Sequence, residues 1–137
     1  MAFISISITK NHPLILGKGG FGRQLADWLS AEGWGEAEFL DDSAPGCVGG
    51  LRDYADPKLL KPGRPAFVAL GDNALRVELL QKLAAAGYDT PVFISDMAAV
   101  SPSAVLEPGC VILPQAYVGA DAHLGVGCII NGGAIVD

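Results

Sequence analysis

The sequence predicts two folds in tandem, an α/β domain over residues 1–98 and a parallel β-helix over residues 99–137, and three observations carry that prediction. Short apolar runs alternate with helix-period stretches up to about residue 94. From Val100 onward the helical period vanishes and a strict period of six replaces it. A glycine-rich stretch follows the first apolar run, where a strand-to-helix turn is expected.

In chain order, "PLILG" reads as a buried strand. Phe21, Leu25, Trp28 and Leu29 then recur at helical spacing and give one apolar face to a helix of about three turns. "AEFLDD" is a second strand and "PAFVALG" a third, with a Gly-, Pro- and Asp-rich loop between Asp41 and Pro65. Asp72 is placed to cap a second helix, whose Leu75, Leu79 and Leu83 form one stripe before Gly87 stops it. "PVFI" is expected to close this half as a fourth strand. Strands separated by helices of this length imply parallel pairing through crossovers, so the half is a small Rossmann-like domain. "FISISIT", near the start, reads as either an edge strand or an extension.

In the second half Val100, Leu106, Ile112, Val118, Leu124, Ile130 and Val136 are each six residues after the last. Four places after the first six of these stand Ala104, Cys110, Ala116, Ala122, Cys128 and Ala134. Each short strand of a parallel β-helix sends one aliphatic side chain inward, and a small residue fits the tight position near the corner. Gly and Pro in the remaining slots, as in "EPGC" and "GVGC", suit the turns.

Composition narrows the partners. A net charge of −6 and a pI near 4.7 argue against nucleic acid, whose binding requires clustered Lys and Arg. No run approaches the ~20 apolar residues of a membrane span, and "MAFISISITK" lacks the basic start and long apolar stretch of a signal peptide. A cytoplasmic location is the expectation. Three cysteines without a close C-x-x-C spacing fit a reducing compartment, and no metal site is expected.

The order of motifs, "LILGKGGFGRQLADWL", then "FLDD", then "VALGDNALRVELLQKLAAAGY", then hexapeptides, resembles the sugar O- and N-acyltransferases. That family includes sialic acid O-acetyltransferases and acetyltransferases of UDP-4-amino sugars. The resemblance covers residues 13 to 137 and implies a left-handed β-helix, here its first two coils, that holds acetyl-CoA at the interface of a homotrimer. It also implies an N-terminal domain that binds a nucleotide-sugar, UDP-linked in the expectation. On that resemblance the candidate site comprises Gly17, Gly19, Gly20, Phe21 and Gly22 in the first turn, and Asp41 and Asp42 where the family contacts the uridine. Gly71, Asp72, Asn73 and Arg76 match a third motif, with Arg76 expected to pair bidentately with a phosphate. Phe21 stands where the family usually has His. Asn131 lies in "IINGGAIVD", which matches the segment preceding the family's general-base His; that His is expected just after Asp137, so a longer parent chain and an inactive fragment are the expectation.

Other readings stand beside this one. Gly17, Gly19 and Gly22 spell G-x-G-x-x-G, and Asp41 lies at a distance suited to a ribose hydroxyl, as in NAD enzymes. The glycines alone are also explained by a tight turn. A noncatalytic nucleotide-binding module with a β-helix stub for oligomerisation is the alternative from a different class. Cys110 and Cys128 fall in small-residue slots and are expected as packed hydrophobes, with Cys47 a surface thiol. His123 is expected to point outward and His12 to sit in an entry loop.

Overall fold

The computed structural model describes residues 11–137, so "FISISIT" lies outside the described residues. The chain divides into two compact units, Met1–Thr90 and Pro91–Asp137.

The first unit is built on β1 (Leu14–Leu16), β2 (Glu38–Leu40) and β3 (Ala66–Val68), in the order β2-β1-β3. Both ladders are parallel: Ile15 lies opposite Phe39 on one side and Phe67 on the other. β1 is buried at every position because it has a neighbour on each edge and a covered surface above and below. Helix α1 (Gly20–Ala31) connects β1 to β2, and α2 (Asn73–Ala86) follows β3. The aliphatic stripes predicted for them face the core: Leu25, Leu29, Leu79 and Leu83 are fully buried. Helix α2 has the predicted ends, with Asp72 Oδ1 accepting from Leu75 N at 3.0 Å and Gly87 closing it in a left-handed conformation. Trp34 packs edge-on against Phe67, ring centroids 5.5 Å apart.

The strand order reverses direction around β1. β1 connects outward to β2, and the chain then returns through residues 41–65, with one short 3-10 turn at Asp53–Ala55, to the other side of β1. In open parallel sheets such a switch leaves a crevice beyond the carboxyl ends of the strands. The turns after β1 and β3 flank it.

At the opposite end of the sheet, buried Arg64 draws three segments together. Its Nε donates to His12 O at 2.7 Å, one terminal nitrogen to Leu59 O at 2.8 Å and the other to Glu38 Oε1 at 2.5 Å.

"PVFI" does not close this sheet. Phe93–Ile94, β4, pairs in parallel with Val111–Ile112 as the first rung of the second unit. The reason is legible afterwards: Ile94 and Ala98 lie six residues before Val100 and Ala104, so the hexad begins one repeat earlier than Val100. Beyond β3, among the described residues, the first sheet continues as a single bridge between Pro65 and Asp89.

The second unit continues with β5 (Ala99–Val100), β6 (Val105–Leu106), β7 (Val111–Ile112), β8 (Tyr117–Val118), β9 (His123–Leu124), β10 (Ile129–Ile130) and β11 (Ile135–Val136). Each pairs with the strand three places away, giving three sheets: β4-β7-β10, β5-β8-β11 and β6-β9. Three hexads therefore make one coil of a three-sided parallel β-helix. Its interior holds Cys110, Ile112, Ala116, Val118 and Leu124, the aliphatic and small slots read from the sequence. The corners repeat as well: Gly109, Gln115, Asp121, Gly127 and Gly133, six apart, all have φ between 60° and 79°.

Candidate functional site

The five residues predicted in the first turn fall into two groups. At Gly17, φ is +104°, and a Cβ would lie 2.7 Å from Ala69 O, because β1 and β3 approach closely at the crevice. A Cβ on Gly22 would lie 2.0 Å from Gly17 O, because α1 starts directly over the turn. These two glycines are required by the fold itself. Gly19, Gly20 and Gly71 are different: a Cβ on any of them meets nothing within 4 Å, and none has a positive φ. Neither sterics nor backbone conformation of this chain requires glycine at these positions, and they lie in the turns that follow β1 and β3. Gly19 is the N-cap of α1 and supplies no side-chain acceptor, and the first turn carries no acidic residue, so the amides at this helix start are not capped from within. Phe21 is half-buried in that turn.

Asp41 joins the turn to the segment after β2. Its Oδ2 accepts from Lys18 N at 2.8 Å, and its Oδ1 from Ser43 N at 2.9 Å and Ala44 N at 3.0 Å. These backbone N–H groups, Lys18 foremost, hold its carboxyl down at about 2, against an ordinary 3.8. Asp42 is exposed, and its Oδ1 accepts from Leu51 N at 2.9 Å, ordering the next stretch of loop.

Lys18 was not singled out from the sequence, although its place between two glycines of the turn is a visible signal. Its ammonium donates to Pro45 O at 2.8 Å and stands 5.2 Å from the centre of the Phe39 ring. A Cβ on Gly46 would come within 2.8 Å of it.

Beyond β3, Asp72 serves α2 as its cap, as described above. Arg76 is buried, and its guanidinium donates to Leu70 O and to Asn73 Oδ1, each at 2.8 Å. The bidentate phosphate contact expected of Arg76 therefore meets a fork turned inward onto the chain's own acceptors, where it shapes the loop from Leu70 to Asn73.

The structure thus gathers Gly17 to Gly22, Asp41, Asp42 and Gly71 to Arg76 at the carboxyl ends of one sheet. Asn131 belongs to the other unit, exposed in the turn after β10, with its backbone carbonyl accepting from Ala134 N at 3.0 Å. There too, His123 points outward and pairs with Glu107 at 2.5 Å. Cys110 is packed inside and its thiol is pushed up by burial; Cys47 and Cys128 are partly buried. Among the described residues no three His, Cys, Asp or Glu side chains gather as a metal site, and no helix is long and apolar enough to cross a membrane. His12 lies at the opposite end of the first sheet, lining a cavity of about 400 Å³ with Glu36, Ala37, Glu38 and Lys61.

No curated protein matches the chain. Solved structures do. The acetyltransferase domain of PglB from Neisseria gonorrhoeae FA1090 superposes with a TM-score of 0.83 at 34% identity, over 93% of this chain and 65% of that one. The same domain in complex with acetyl coenzyme A matches with a TM-score of 0.81. PerB from Caulobacter crescentus, in complex with CoA and GDP-perosamine, matches with a TM-score of 0.80 at 32% identity, over 92% of this chain and 62% of that one. The chain thus spans just under two thirds of the length of these relatives, and shares with them the Rossmann-like domain followed by a left-handed β-helix. The profile of the PglD N-terminal domain matches residues 14–83, just over half of the 137, and the chain belongs to that family, whose resemblance to the hexapeptide-repeat sugar acyltransferases its motif order announced.

Proposed function

We propose that this chain supplies the nucleotide-sugar-binding domain and the first coils of the acyl-donor β-helix of an acetyl-CoA-dependent sugar N-acetyltransferase. The observation that carries the proposal is the set of open glycines, Gly19, Gly20 and Gly71, around the uncapped start of α1 at the switch point of a parallel sheet. A fold that needed only a tight turn would need Gly17 and Gly22. The other three keep a surface clear for a ligand that approaches backbone N–H groups. The relative crystallised with GDP-perosamine and CoA supports the substrate classes. In the whole protein, the amine nitrogen of the sugar attacks the thioester carbonyl, a C–N bond forms, and the C–S bond breaks to release coenzyme A. The proton of the amine passes to a general base. Assembly as a homotrimer and a cytoplasmic location, where nucleotide-sugars and coenzyme A meet, belong to the same proposal.

The expected nucleotide is uridine diphosphate, and the relative's GDP-linked ligand makes guanosine the direct competitor. Isothermal titration of the purified chain with a UDP-4-amino sugar and with GDP-perosamine tests both. Binding of one, weakened at least tenfold by Gly71→Val with an unchanged melting temperature, is the expected result. Failure of the folded chain to bind either ligand would sink the proposal.

A further inference from the structure

The ammonium of Lys18 is held in place by neutral groups only. It donates to Pro45 O at 2.8 Å and lies 5.2 Å from the centre of the Phe39 ring. Among the described residues the ion pairs are Arg52 and Lys82 with Glu78, Arg64 with Glu38, and His123 with Glu107; Lys18 takes part in none. The nearby Asp41 receives the Lys18 backbone N–H rather than its side chain, together with Ser43 N and Ala44 N, so its charge is already answered by amides. Gly46, with φ of 75°, passes close to the ammonium: a Cβ there would sit 2.8 Å from Nζ.

This arrangement is unusual for a surface lysine, which ordinarily keeps its rotamer freedom and its hydration. Here the side chain already has a hydrogen-bond acceptor and an aromatic face to hold it in the free protein. A carbonyl and a π face orient a cation without neutralising it. A preorganised, uncompensated positive charge attracts an anion more strongly than a mobile one, because binding no longer carries the ordering cost. The charge belongs to the turn that carries Gly19 and Gly20, at the carboxyl end of β1.

We infer that Lys18 is the residue that recognises the diphosphate of the nucleotide, and that Pro45, Gly46 and Phe39 position its ammonium for that contact. The inference rests on the nucleotide-sugar reading above and adds to it the group that reads the charge of the ligand.

Lys18→Gln separates charge from shape, since its amide can still donate to Pro45 O. The unsubstituted chain and the variant would be titrated with UDP and GDP, and with uridine and guanosine, at low and high salt. One hydrogen bond to a charged group corresponds to a loss of about tenfold or more in affinity. The expected result is that loss for the diphosphate with no change for its nucleoside, and a weaker salt dependence in the variant. Equal diphosphate affinity in the two proteins would overturn the inference and leave the nucleotide-sugar reading intact. Equal losses for diphosphate and nucleoside, with a lowered melting temperature, would also overturn it, by making Lys18 only a brace for loop 43–46. Binding of no nucleotide by the unsubstituted chain would remove both.

Discussion

Gly20 and Gly22 stand two residues apart in α1, yet the structure assigns them opposite responses to the same methyl group. In Gly22→Ala the new Cβ would lie 2.0 Å from Gly17 O and 2.9 Å from Gly17 C. An ordinary contact between such atoms is above 3 Å, so α1 and the turn must separate by about 1 Å. Both partners are backbone, and Gly17 is itself pinned against Ala69 O and by its N–H bond to Leu40 O at 2.8 Å. Relief has no flexible side chain to absorb it, and the expected cost is about 3 kcal/mol or more, in the tail reserved for overpacking and backbone strain. In Gly20→Ala the methyl meets nothing within 4 Å in a helical residue, so the change gains about 0.5–1 kcal/mol from the lower entropy of the unfolded chain. The two tryptophans of the sequence, Trp28 and Trp34, both lie in the first unit, so their fluorescence during urea denaturation reports that unit alone. The midpoint should fall steeply for Gly22→Ala and rise slightly for Gly20→Ala. A Gly22→Ala protein with the parental midpoint, or a Gly20→Ala protein destabilised by more than about 1 kcal/mol, would refute the division of the turn into structural and open glycines.

Two further responses follow from the polar contacts. Because the carboxyl of Asp41 titrates at about 2 in the fold and at 3.8 otherwise, its stabilisation is fully present above pH 4 and lost as pH falls toward 2. Partial exposure reduces the value to about 1 kcal/mol, so the stability gap between parent and Asp41→Asn should narrow between pH 4 and pH 2; a constant gap across that window would contradict the assignment. Arg64→Ala strips donors from His12 O and Leu59 O and leaves Glu38 without its partner, at an expected cost of about 3 kcal/mol in the same denaturation experiment; a change below 1 kcal/mol would show that water replaces the guanidinium.

Much of this architecture was legible because its signals are periodic or local. The hexad predicted rungs that proved to be spaced by three repeats, and Asp72 and Gly87 marked the ends of α2 within a residue. Phe93–Ile94 was assigned to the wrong sheet because a short apolar run has no period of its own, and only extending the hexad back to Ile94 and Ala98 identifies its partner. Arg76 illustrates a different limit. A sequence places an arginine on a helix but not the direction of its head, and this one donates to Leu70 O and Asn73 Oδ1.

The same limit explains why the glycine-rich turn looked uniform and was not. What separates Gly17 from Gly19, besides the Gly17 φ of +104°, is the backbone of Ala69, some fifty residues further on, arriving beside one and not the other. Nothing within the turn encodes that approach; it exists only once β1 and β3 are paired. Polar groups at the carboxyl ends of the strands divide by the same test. Asp41, Asp72 and Arg76 direct their hydrogen bonds into the chain and fix its loops. Among the described residues no acidic side chain pairs with the Lys18 ammonium, and the first turn of α1 carries none. Groups of the first kind define the walls of the crevice, and groups of the second kind define the charge of what enters it.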